Sequence, residues 1–154
     1  MHSIPVGPNF GVLKATTGVV GLHFSLMNKR ILILGDILAI ALITLIGFAT
    51  HGEAGVSFLP RMAAIYFPLS ISWFLLAPAL GLFQHEITSN PKHLWRPALT
   101  ALFVAPLAAV LRGLILNAPI IPIFAVVLGA TSAFGMVVWR GLYCLLKLKS
   151  SKER

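Results

Sequence analysis

The sequence predicts an all-α membrane protein, a bundle of four transmembrane helices with both termini cytoplasmic. Three observations predict it. Apolar residues make up 58% of the 154-residue chain and charged residues 10%, against about 25% charged in soluble domains. A water-facing surface would have too little charge to cover it, whereas lipid can face apolar side chains. Four apolar runs follow one another, each near the roughly 20 residues that a helix needs to cross about 30 Å of hydrocarbon. The basic residues also gather beside alternate ends of those runs, as they do on the cytoplasmic side of membrane proteins. A membrane barrel would show alternating segments of about ten residues, and these runs are continuous and longer.

Residues 1–30 form an N-terminal arm, interfacial or flexible, with Gly, Pro and Lys14 but no clean span. Met27-Asn28-Lys29-Arg30 reads like a second start. The arm is therefore either an interfacial segment or the product of a start upstream of the native one. The transmembrane domain covers 31–146. Its first span is 31–50. Lys29-Arg30 before it and Gly47 and Ala49 within it give the outline of a cleaved signal peptide, but Asp36 interrupts the run and its length suits a retained helix. A Gly-bearing loop (51–61) leads to the second span, 62–83. A polar loop from residue 84 leads to the third, 95–116. A tight turn at Asn117-Ala118-Pro119 leads to the fourth, 121–146, and 147–154 is a basic cytoplasmic tail. Pro68, Pro78 and Pro106 fall inside spans. Each removes a backbone hydrogen bond, which membrane helices tolerate when neighbours satisfy the freed carbonyl.

Orientation follows from the bases. Lys14, Lys29, Arg30, Lys92, Arg96, Lys147, Lys149, Lys152 and Arg154 fall on one side, and Arg61 alone in the first loop. Positive charge stays inside. The net charge of +8 thus marks topology and anionic lipid, not nucleic acid, since no groove-reading helix or aromatic RNA platform accompanies it. Lys92, Trp95 and Arg96 are expected to touch anionic headgroups at the cytoplasmic interface, with Trp95 and Trp139 as interfacial anchors.

Small residues mark the packing faces: Ala101, Ala105, Ala109 and Gly113 in the third span, and Ala125, Gly129 and Ala133 in the fourth. Four-residue spacing of this kind lets backbones approach closely. Helical phase turns Arg112 and Arg140 toward these ladders. Asp36 shares the Gly47 face of the first span, at the depth of Arg140, and no other acid lies within a span. Asp36 and Arg140 are therefore expected to pair. Partial exposure near the interface sets the cost of breaking the pair at about 1–2 kcal/mol. Arg112 lies on the outer side with His51 and Glu53. Charges in spans are costly and tend to be paired or functional. Staples that fix helix register outweigh a proton or anion path here, because both groups lie near the interfaces. Cys144 reads as a small packing residue. Four acids, and no histidine in mid-span, suggest neither metal nor cofactor nor enzyme.

Gly35-Asp36, Thr50-His51-Gly52, Trp73, Ala77-Pro78, Gly81, Pro106, Leu111-Arg112, Pro122, Phe124 and Trp139-Arg140 occur in an order and spacing that resembles the family called domain of unknown function 3054. Ser72 stands where that pattern has glycine. The resemblance covers 31–146. It implies a four-helix bacterial or archaeal plasma (inner) membrane protein and supplies no activity. The expected function is a non-enzymatic subunit of a membrane complex, or a self-associating bundle. The alternative is a small oligomeric transporter or channel for a proton, ion or small solute.

Overall fold

The computed structural model describes the backbone of residues 10–152 except 54 and 89, and the side chains of 29–149 except 54, 85 and 89. Among them all regular structure is helical: α1 (Phe10–Thr50), α2 (Leu59–Ala79), a single turn α3 (His85–Thr88), α4 (Trp95–Leu116) and α5 (Pro122–Lys152). α1, α2, α4 and α5 are long and apolar enough to cross a membrane.

α1 runs unbroken through residue 30, where the sequence suggested the end of an arm. No proline lies between Pro8 and Pro60, and Gly18 and Gly21 each cost only about 1 kcal/mol in a helix, so nothing local stops the helix there. Its membrane-length apolar part is Lys29–Thr50. Residues 1–9 lie outside the described residues. At the other end α5 continues past 146 into the basic tail as far as Lys152.

α2 starts with Pro60 in its first turn and ends at Ala79, four residues short of the expected 83. The reason is a Schellman cap. Gly81 takes φ +70°, the Gly81 N–H donates to the Pro78 carbonyl at 3.0 Å, and the Leu82 N–H donates to the Ala77 carbonyl at 2.9 Å. Ala77 and Leu82, the pair that this motif brings together, are both buried. Asn90 then caps a short 3-10 turn by accepting the Lys92 N–H at 3.0 Å. Asn117, in the left-handed region at φ 46°, ends α4 as the Ala118 N–H donates to the Gly113 carbonyl at 3.0 Å.

The core joins all four long helices through Ile40, Leu69, Trp73, Val104, Ala108 and Met136, among others. The small-residue ladders meet across α4 and α5. Ala101, Ala105 and Ala109 are buried, and a Cβ on Gly129 would stand 3.2 Å from that of Ala105. Gly135 leaves room for Ile43 of α1, whose Cδ1 would be 2.5 Å from an added Cβ. The helices alternate in direction. The 51–61 loop lies beside the end of α4 and the start of α5, where His51, Arg61, Arg112 and Phe124 line one cavity, and the α2–α4 connection lies beside the later part of α5, where Asn90 and Leu94 come together with Arg140 and Cys144.

Candidate functional site

The structure brings Asp36 and Arg140 together across 104 residues of sequence. Arg140 Nη2 lies 2.6 Å from Asp36 Oδ2, and Arg140 Nε donates to Oδ1 at 3.0 Å. Two indoles complete the shell. Trp73 Nε1 of α2 donates to Oδ2 at 3.0 Å, and Trp139 Nε1 of α5 donates to Oδ1 at 2.9 Å. Each carboxylate oxygen accepts two hydrogen bonds, which offsets the cost of taking the charge out of water. Asp36 is 0% exposed and Arg140 6%. The pair is sealed, so the partial exposure expected from its distance to the helix ends does not hold.

Two local features position it. Gly35 makes room for Trp139, because a Cβ there would lie 1.7 Å from the ring. The cap that ends α2 turns the Leu82 carbonyl inward, where it accepts Arg140 Nη1 at 2.9 Å. The next residue, Phe83, lays its ring 5.3 Å from the guanidinium carbon. Sequence reasoning missed Leu82 and Phe83, held Trp73 only as part of the family pattern without its bond to Asp36, and placed Trp139 as an interfacial anchor. Its nitrogen is instead turned to Asp36 in the interior. The legible signal was a glycine next to the only acid in a span and a tryptophan next to its arginine. Ser72, one residue before Trp73, is fully buried, and its hydroxyl has no partner.

At the end shared by the 51–61 loop and the start of α5 lies a cavity of about 460 Å³. His51, Glu53 and Arg112 all line it, and so does Arg61. Arg112 does not pair with Glu53. Arg61, considered in the sequence only as a topological charge, takes that carboxylate with Nη1 at 3.0 and 3.1 Å. The Arg112 guanidinium carbon lies 5.3 Å from the centroid of the Phe124 ring, and its Nε is buried without an acceptor. The threonines of the wall are turned to their own helices: Thr44 donates to the Ile40 carbonyl, Thr50 to Gly47 and Thr131 to Val127.

At the opposite end, Lys92 and Trp95 are exposed, and Arg96 is partly covered over the Trp95 ring at 5.6 Å. The ladder residues Gly113, Ala125 and Ala133 are half-buried. Cys144 is buried. Among the described residues no group of three metal-ligating side chains occurs.

A family described as a protein of unknown function (DUF3054) matches residues 33–143, a stretch that contains both the ion pair with its indoles and the cavity arginine. No curated protein matches the chain. No solved structure matches it either.

Proposed function

The chain belongs to the DUF3054 family of proteins of unknown function, and on that premise we propose that it is a non-enzymatic multi-pass membrane protein that acts by association, as a subunit of a membrane complex or with copies of itself. One observation carries this reading. Asp36, whose carboxylate is sealed between three helices, has its oxygens occupied by two indoles and a guanidinium. A carboxylate used in this way fixes helix positions and has no lone pair turned to a substrate. The surface of α5 adds support: its apolar stretch is 17% buried, against 33–39% for the other three helices, which leaves most of its face to lipid or a neighbour.

In this reading both termini are cytoplasmic in a plasma membrane, and Lys92 and Arg96 meet anionic headgroups beside Trp95, worth about 1 kcal/mol per base. Lys29, Arg30, Lys147 and Lys149 fall toward the same end, consistent with positive charge held inside. The test is affinity purification of the full chain after gentle detergent extraction, followed by mass spectrometry and native mass measurement. A stoichiometric partner or a defined oligomer is the expected result. A lone monomer that carries an ion or solute in vesicles of purified protein would instead establish the transporter reading, which the cavity around Arg112 favours.

A further inference from the structure

We infer that the cavity around Arg112 and the groove beside it form one binding site for an anionic membrane lipid, with its headgroup on Arg112 and an acyl chain between α1 and α5. Four observations lead there. Arg112 is the cavity's unspent cation, for Arg61 is bound to Glu53 through both carboxylate oxygens, while Arg112 Nε is buried and unpartnered. The Phe124 ring centroid lies 5.3 Å from the guanidinium carbon, and a guanidinium suits the contact that phosphate and carboxylate groups accept. The hydroxyls of Thr44, Thr50 and Thr131 donate to their own helices, so they do not compete as headgroup donors.

The fourth observation concerns the neighbouring space. A groove of about 680 Å³ runs between α1 and α5, and it is walled almost wholly by apolar side chains such as Leu42, Ile46 and Phe134. It shares Ile43, Gly47, Thr50 and Thr131 with the Arg112 cavity. The two spaces therefore adjoin at these four residues, the one lined by charged side chains and the other by apolar ones. Both volumes are in the usual range for small-ligand sites. A cation at the mouth of an apolar slot that opens toward the bilayer complements an anionic amphiphile, not a free anion or a neutral lipid. Gly47 sits at the junction, and a Cβ there meets nothing within 4 Å. That empty volume is where the chain would pass from headgroup to groove.

The test is native mass spectrometry of the full chain in non-ionic detergent, with phosphatidylglycerol or phosphatidylcholine of the same acyl chains. The wild type should retain phosphatidylglycerol in preference. Arg112→Gln should reduce that preference about tenfold, the scale of one charge-assisted contact. Gly47→Leu fills the junction without touching the charge, and should reduce retention of phosphatidylglycerol to a similar degree. Circular dichroism and thermal melting of both variants establish that they fold. The proposal is overturned if Arg112→Gln retains the full preference. It is overturned too if Gly47→Leu changes nothing while inorganic phosphate competes with the lipid, because the ligand is then a free anion. Loss of a dimer in Gly47→Leu with headgroup preference unchanged would assign the groove to a second copy, and would also overturn it.

Discussion

Asp36 depends on donors from α2 and α5, and each can be removed alone. Asp36→Asn and Arg140→Gln should each destabilise the protein in detergent by about 3–5 kcal/mol, the cost of stranding one member of a buried pair. The double variant should cost less than the sum, and strict additivity in the cycle would refute direct pairing. Gly35→Ala acts at one remove. Its methyl would occupy the place of the Trp139 ring, so the ring must shift and loosen its bond to Asp36, at a cost of about 1–3 kcal/mol. Thermal melting with tryptophan fluorescence reads both effects. The reverse holds one residue before Trp73: Ser72→Ala removes a buried hydroxyl without a partner and should stabilise by about 1 kcal/mol. The ion pair was legible in the sequence because it needs only depth, helical phase and the scarcity of acids. The indoles were not, because the direction of a ring nitrogen depends on the room that a glycine on another helix leaves. The Glu53–Arg61 bond escaped notice for a similar reason: the sequence reading put both residues in the 51–61 loop, where helical phase gives no guidance, whereas Arg61 lies in the first turn of α2.

Among the helices, the spans were legible from hydropathy, and the end of α2 was not. An apolar count passes over Ala79–Phe83 without change, while the backbone stops at Gly81 because its φ of +70° is one that other residues adopt at a cost of about 1–2 kcal/mol. Gly81→Ala should therefore lower the melting temperature. It should also shift the Leu82 carbonyl from Arg140, so its effect should be smaller in an Arg140→Gln background than in the wild type. Additive losses would show that the cap and the ion pair are independent. The α4–α5 ladder gives a second handle. Gly129→Leu adds bulk where Ala105 stands in contact, and should separate the two helices at a cost of about 1–3 kcal/mol. Disulfide trapping between cysteines placed on the facing helices should lose yield in this variant. The ladders themselves were readable from four-residue spacing alone, since small side chains at that period have one face to share.

For the whole molecule, the separation of bases into one rich end and one poor end gives the expected topology. Reporter fusions at residue 154 and within the 51–61 loop should place the first in the cytoplasm and the second outside; an external C-terminus refutes the orientation. The alternation of helix direction follows from four spans joined by short connections, so once one end is assigned the rest are fixed. The ion pair adds a consequence for biosynthesis. Its two charged members lie 104 residues apart, on the first and the last long helix, so a growing chain delivers the carboxylate to the membrane well before the guanidinium. Until α5 arrives, Asp36 has only the Trp73 indole among its final donors. A polypeptide arrested after α4 is thus chemically marked as unfinished by an acid in hydrocarbon, and it should be cleared by membrane proteases faster than the finished protein. Pulse–chase of a chain truncated at residue 119 checks this, and Asp36→Asn in the same truncation should lengthen its lifetime.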